Sequence, residues 1–344
     1  MLKQTATKIK AEDGTVLKMR KIRFGIYGAG TAASFHAEAL KSIDQAELCG
    51  VSDRFFDFAV KLGEKYGIKA YSDFEEMLSD KSIDAICICT PSGYHAKDAL
   101  TALDYGKHIV IEKPMAMNTY DCEKIKEKAE NKGCTVTVIA QLRFSEDVRK
   151  VKSLIDENAF GKITSCSLYM KYWRDKEYYK SSPWRGTKEF DGGVLMNQGI
   201  HGIDLLCYFM GNAQVMYSST GTIYHEIDCP DTAVAVVKFE KDILGVIESS
   251  VCSYPGFERK IEICGSEGCV VMYENTIEKL IIKGKAEYLN ESSGLVDTSG
   301  NPKNLDISLH AAQLRNFIMN LMGNEILMCT MDDGINAVRL IENI

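Results

Sequence analysis

Proline is scarce in this chain, six residues in 344, which excludes Pro-rich linkers, polyproline stalks and collagen-like repeats. No stretch reaches the roughly 20 consecutive apolar residues that a membrane span requires. Residues 1–10 lack the apolar segment and small-residue cleavage site of a secretion signal. The expectation is a cytoplasmic protein with no membrane partner. Lysines and arginines nowhere cluster densely enough to track a phosphate backbone, and the formal charge is −7, so no nucleic acid partner is expected. Cysteine is not scarce, with 12 residues, but there is no Cys-x-x-Cys pair and no His/Cys cluster at zinc-ligand spacing. Without a secretion signal these read as reduced thiols, Cys87 and Cys89 as small hydrophobes on one strand face, and no metal is called for. What remains is an ordinary globular composition, 45% hydrophobic and 26% charged, in a chain long enough for two domains.

The chain changes character twice. Residues 1–20 alternate polar and apolar around Asp13-Gly14, which predicts a short hairpin in an N-terminal extension. From 21 to about 140, short apolar runs at 22–27, 47–52, 85–90, 108–112 and 135–139 alternate with helical patterns near 31–41, 55–66, 72–79, 93–105 and 119–132. Such alternation predicts an α/β domain, a doubly wound parallel sheet of the Rossmann type covered on both faces. From 141 to 344 the strands lengthen and alternate, as at 232–239, 244–251, 260–264 and 269–273, with a helix over 197–210 and two more near 308–322 and 332–343. The second domain is therefore expected to be α+β with an open, mostly antiparallel sheet, its closing helices free to return to the first domain.

The first strand runs directly into Gly28-Ala29-Gly30-Thr31-Ala32-Ala33 and then into a helix. Glycines at that junction let the backbone turn tightly and approach a pyrophosphate at a helix N-terminus, and Ala33 in the third small position still permits close helix–strand packing. The second strand ends at Asp53, whose carboxylate suits the adenosine ribose hydroxyls and repels a 2′-phosphate, favouring NAD over NADP. Arg54 beside it either pairs with such a phosphate or stacks on adenine.

These motifs do not stand alone. Gly28-Ala29-Gly30 with His36, Thr90-Pro91-Ser92 with His95, Glu112-Lys113-Pro114 and Asn197-Gln198-Gly199-Ile200-His201-Gly202-Ile203-Asp204 follow in a fixed order. That series resembles the glucose-fructose oxidoreductase / inositol dehydrogenase / rhizopine catabolism (Gfo/Idh/MocA) family of NAD(P)-dependent oxidoreductases, over about residues 21 to 344. The resemblance implies an active site between the two domains and a homodimer or homotetramer assembled through the C-terminal sheet. It implies that Thr90, Pro91 and His95 line the cofactor's ribose and nicotinamide region and that Glu112 and Lys113 sit at its reactive face. Gln141-Leu142-Arg143-Phe144 resembles a crevice motif, with Gln141 on the cofactor side and Arg143 as an exposed substrate candidate.

Lys113 closes a buried strand before Pro114, so its ammonium is expected in the crevice at the strands' carboxyl ends, where it can hold a hydroxyl and stabilise an alkoxide. Asn197 and His201 are four apart and so share a helix face, with Asp204 three further on. His201 is the expected proton acceptor, with an ordinary pKa near 6.5. Many relatives carry Asp at position 197; Asn cannot be a base, so it is assigned to orienting a substrate hydroxyl. Asp204 either orients the imidazole or caps local structure. Tyr172, Trp184 and Arg185 fall in a short aromatic and basic run that suits sugar rings and attached carboxylates or phosphates, and the run resembles a subgroup including oxidases acting at C3 of sugars. The activity expected is reversible oxidation of a secondary alcohol of a sugar, cyclitol or nucleotide-sugar. Two alternatives stay open: a glycosidase of this fold that recycles NAD in place, and a dinucleotide-binding sensor without catalysis.

Overall fold

A computed structural model of the chain describes residues 21–289 and 307–344; the expected hairpin before residue 20 lies outside the described residues. The first domain contains β1 (Ile22–Tyr27), α1 (Thr31–Lys41), β2 (Ala46–Ser52), α2 (Phe56–Tyr66), β3 (Lys69–Ala70), α3 (Phe74–Ser79), β4 (Ala85–Ile88), α4 (His95–Asp104), β5 (His108–Ile111), α5 (Thr119–Lys132) and β6 (Val136–Val138). Its six strands are parallel in the order β3-β2-β1-β4-β5-β6. The order reverses between β1 and β4, and there the carboxyl ends of the strands open a crevice. β4 and the Ile109–Ile111 part of β5 are buried throughout, as a sheet with helices on both faces demands. The two-residue β3 carries no periodic signal and was not expected.

After α6 (Glu146–Asp156), which the sequence patterns did not suggest, come β7 (Ile163–Lys171), α7 (Lys176–Lys180), α8 (Ile200–Met210), β8 (Ala213–Gly221), β9 (Thr232–Phe239), β10 (Leu244–Ser250), β11 (Lys260–Gly265), β12 (Gly268–Tyr273), β13 (Thr276–Ile282) and β14 (Tyr288–Leu289). They form an eight-stranded sheet, β14-β13-β12-β11-β7-β10-β9-β8, antiparallel except where β10 meets β7. Period-2 burial is plain in β9: Ala233, Ala235 and Val237 are buried, whereas Val234 and Val236 are each 40% exposed. The inner face is covered by α8, whose Ile203, Leu205 and Leu206 are buried in the same core as Leu168 and Ile247.

The final helices, α9 (Ile307–Leu321) and α10 (Met331–Glu342), return to the first domain. Leu314, Phe317 and Ile318 of α9 are buried with Phe24, Ala33, Ala37 and Leu40 of β1 and α1. Burying each such side chain contributes about 1.5–3 kcal/mol, so α9 is an integral part of the dinucleotide domain's core although it is the last but one element. α10 starts with a capping box in which Thr330 and Asp333 satisfy each other's main-chain N–H groups.

Candidate active site

The loop after β1 turns at Gly28, whose φ of +94° and whose missing Cβ, which would stand 2.6 Å from the Cys89 carbonyl oxygen, leave no place for another residue. Gly30 faces open space: a Cβ built there meets nothing within 4 Å. It is also the N-cap of α1, and no side chain caps the helix, so the first N–H groups beside Thr31 and Ala32 are available to an anion. Asp53 ties this loop down, accepting from Ala29 N at 2.6 Å and from Phe55 N at 2.7 Å. Arg54 donates to the Tyr94 hydroxyl at 3.1 Å. An open glycine, an uncapped helix start and a carboxylate 25 residues after Gly28 fit a dinucleotide diphosphate and its ribose.

At the ends of β4 and β5 the crevice wall is a network. Thr90 Oγ1 donates to Asp98 at 2.6 Å, and burial pushes the Asp98 carboxyl up to about 6. His95 is buried with Nδ1 2.7 Å from Pro114 O and Nε2 2.8 Å from Thr90 O, so it knits the two loop ends together; burial lowers its pKa. Glu112 meets the buried imidazole of His36 at 2.9 Å. Burial opposes ionisation of Glu112, yet the His36 hydrogen bond and the charges of His36, His310 and Lys113 hold its carboxyl far below the usual range.

Lys113 is the centre. Its Nζ donates to the main-chain oxygen of Asn197 at 2.8 Å and to Asn197 Oδ1 at 3.3 Å, joining the end of the parallel sheet to the second domain. The expected helix over 197–210 is instead a π-helical turn, Val194–Gly199, that passes into α8; widened turns of this kind recur at functional sites. Burial lowers the Lys113 pKa, with Arg185 and Arg174 acting the same way and Glu112 and Asp191 opposing. Burial, then the charges of Lys113 and Arg259, push His201 well below 6.5. His201 is thus a neutral imidazole at neutral pH, and it differs in this from the ordinary histidine that its sequence context suggests. The two cations disfavour each other, so the pair carries one proton more readily than two.

The substrate side is a wall of rings and guanidinium groups. Arg185 lies 4.0 Å over the Tyr178 ring and 5.1 Å from Trp184, with its buried Nε unpartnered. Arg174 donates to Gln198 Oε1 at 3.0 Å and sits against Tyr172 and Tyr178. Asp191 accepts from Gly186 N, and burial raises its carboxyl while Asn197, Lys113 and Arg185 pull it down.

Two family models match this chain: an oxidoreductase family with an NAD-binding Rossmann fold over residues 22–140, and the GFO/IDH/MocA C-terminal domain over 148–271. The chain belongs to the Gfo/Idh/MocA family. Myo-inositol 2-dehydrogenase of Thermotoga maritima is 29% identical over 258 residues, covering 72% of this chain and 74% of that one. The scyllo-inositol 2-dehydrogenase (NAD(+)) of Bacillus subtilis is 28% identical over 257 residues, 73% of each chain. Among solved structures, the WlbA dehydrogenase of Bordetella pertussis in complex with NADH and UDP-GlcNAcA superposes with a TM-score of 0.85 at 28% identity, over 94% of this chain and 95% of that one. As a Gfo/Idh/MocA protein the chain is an NAD-binding oxidoreductase of a family of sugar and cyclitol dehydrogenases.

The Gfo/Idh/MocA frame separates the expected residues into those that meet and those that do not. Lys113, Asn197, His201 and Arg185 converge, and Gln141, in the 3₁₀ turn after β6, holds a buried carboxamide oxygen without a partner, fit to receive a cofactor donor. Arg143 is a correction. It is 1% exposed and closes a buried ion cluster, bidentate to Asp204 at 2.9 and 2.7 Å and bound to Asp333 at 2.9 Å. A guanidinium so buried and bound to two carboxylates is not the exposed substrate contact the motif suggests, and Asp204 spends both carboxylate oxygens on it. Tyr172 donates its hydroxyl to Glu274 at 2.8 Å, so what it offers the site is a ring face under Arg174. The Gly192-Gly193 pair is explained by packing: a Cβ at Gly193 would stand 2.5 Å from Pro230 O. Asp191, Tyr178, Gln198 and Arg259 were missed as site members. The first three flank the expected motifs, but Arg259 precedes β11 and carries no local signal.

Proposed function

We propose that this chain oxidises a secondary alcohol of a sugar, cyclitol or nucleotide-sugar that carries an anionic group, with a C3 hydroxyl as the reacting position. The observation that carries the reading is the ammonium of Lys113, anchored 2.8 Å from the Asn197 main-chain oxygen at the carboxyl end of the parallel sheet, close enough to a neutral His201 to depress it.

Bound NAD supplies the hydride acceptor. The residues do the rest. Lys113 donates to the substrate oxygen and stabilises the negative charge that develops there, in a site where low dielectric strengthens the interaction. His201, neutral and buried, takes the hydroxyl proton, and its low basicity favours return of that proton in the reverse direction. Asn197 orients the ring by its carboxamide. Arg185, stacked on Tyr178 and Trp184, meets a carboxylate or phosphate as a fork of donors. The co-crystallised uronate nucleotide of the WlbA structure supports an anionic substrate, and the inositol dehydrogenases support a polyol ring. Assembly as a homodimer or homotetramer through the C-terminal sheet is supported by its outer face, where Tyr217, Val234, Val236 and Leu244 are exposed apolar side chains.

The test is absorbance of reduced nicotinamide while wild type and Lys113→Met meet NAD with hexoses, inositols, hexuronates and UDP-sugars. A substrate-dependent rise in the wild type that falls by about 10²–10⁴ in the variant is expected. Tight NAD binding with no accumulation of the reduced form, together with turnover of aryl glycosides, would replace the dehydrogenase by a redox-cycling glycosidase.

A further inference from the structure

Outside this site, two segments distant in sequence bring together a histidine, a carboxylate and a thiol. His225 and Asp231 lie on the loop between β8 and β9, and Cys252 follows β10; one ligand atom from each falls within 4.8 Å of the others. Spacings of 6 and 21 residues match no zinc pattern, so the cluster carries no local signal.

Hydrogen bonding fixes the local chemistry. Asp231 is buried, and Oδ1 accepts from Ile223 N at 2.8 Å while Oδ2 accepts from Tyr224 N and His225 N, each at 2.9 Å. Three main-chain N–H donors on its two oxygens are the surroundings of an ionised carboxylate. The ring of His225 is buried, with Nε2 3.0 Å from the Arg174 carbonyl oxygen. A carbonyl only accepts, so Nε2 carries the hydrogen and a neutral ring bears its lone pair on Nδ1. That lone pair faces Asp231 Oδ2 at 3.2 Å and Cys252 Sγ at 3.5 Å. Two acceptors in such contact repel unless a cation lies between them. A proton on Nδ1 would answer, and so would a metal ion, which would also make use of the sulfur.

The distances fit the metal. Bonds of about 2.3 Å to sulfur and 2.0–2.2 Å to nitrogen and oxygen at tetrahedral angles place ligand atoms about 3.2–3.7 Å apart, and the nitrogen–oxygen and nitrogen–sulfur separations here are 3.2 and 3.5 Å. The remaining edge closes by a small movement of Cys252, which is half-buried and leaves a way in. A ligating imidazole whose other nitrogen donates to a main-chain carbonyl is the usual outer-shell arrangement.

We propose that His225 Nδ1, Asp231 Oδ2 and Cys252 Sγ form a binding site for a thiophilic divalent cation such as zinc, with the fourth position open to water. On binding, the Cys252 thiol gives its proton to solvent and the thiolate takes its place in the coordination sphere. The ion ties the loop before β9 to the ends of β7 and β10. It thereby steadies the substrate wall, since the His225 ring lies 4.7 Å from that of Tyr179 and holds the Arg174 main chain.

The experiment is a titration of chelator-treated, reduced protein with Co²⁺ alone, followed by Zn²⁺. One equivalent of Co²⁺ is expected to give thiolate-to-cobalt absorption in the near ultraviolet with tetrahedral visible bands, and Zn²⁺ is expected to erase both. Cys252→Ala should abolish the thiolate band and weaken binding at least tenfold, His225→Gln should weaken it similarly, and Cys134→Ala should change nothing. NAD binding by each variant reports that the fold is intact. No band in the wild type, or a band that survives in Cys252→Ala, would overturn the proposal and leave a proton on Nδ1 as the intervening cation.

Discussion

Replacing Arg143 by Met separates a structural role from a substrate contact more sharply than any other single change. The methionine keeps most of the side chain's volume but strips Asp204 and Asp333 of the guanidinium that binds both. Breaking a buried ion cluster by removing one partner costs about 3–5 kcal/mol, because the charges left behind stay desolvated. Unfolding entropy scales with chain length to about 0.7 kcal/mol per kelvin for a chain of this size, so the melting temperature should drop by about 4–7 °C. The loss should also depend on pH in a defined direction. Burial already raises the Asp204 carboxyl, and Arg143 pulls it down. Without Arg143 its folded pKa climbs further above the unfolded value, and the destabilisation is full above that raised pKa and shrinks as pH falls through it. Thermal unfolding from neutral to mildly acidic pH measures this, with a triple variant adding Asp204→Asn and Asp333→Asn expected to recover part of the loss. An unchanged melting temperature accompanied by a raised KM would refute the argument and return Arg143 to the substrate.

Gly28→Ala forces a side chain into φ +94° and against Cys89 O; NAD affinity, read by fluorescence titration, should fall at least tenfold while other ligands of the second domain are unaffected. Since burial and Lys113 depress His201, the acid limb of kcat/KM for alcohol oxidation should lie below pH 6.5, and the His201 ring resonance should titrate at higher pH in Lys113→Met than in wild type. Val236→Glu, on the exposed face of β9 beside Tyr217, should leave a monomer where the wild type forms the proposed dimer or tetramer, as light scattering would register. Burial holds the Asp98 carboxyl at about 6, above its unfolded value. The native state therefore gains stability from this group as pH falls from about 6 towards 4, a slope that Asp98→Asn should remove.

Periodicity reached far into the fold because local forces dominate there. β1, α1 and α5 follow the apolar pattern to the residue, since each strand of a doubly wound sheet must be apolar on both faces and each helix on one. The short β3 and the amphipathic α6 escaped, one too brief to show a period and the other overshadowed by the charged residues of its first turn. In the candidate site, Gly28, Asp53, Lys113, Asn197 and His201 could be nominated from sequence because phosphate loops, strand ends and histidine-bearing helices impose short-range spacings, and Arg185 from its aromatic neighbours.

The sequence by itself determined the class of the two sheets, the cofactor loop and the identity of the groups that can bear charge or move a proton. Tertiary structure alone decided what each group is free to do. Arg143 and Arg185 look alike in sequence, yet one is enclosed by two carboxylates and the other lies across Tyr178 with a nitrogen unspent. His201 loses its ordinary basicity only because burial and Lys113 meet there, and Cys252 becomes a neighbour of His225 and Asp231 only when the loop before β9 closes on the residues after β10. Exposure, electric field and long-range proximity depend on the whole packed chain, and none of them is a property of a residue or of its near neighbours in sequence.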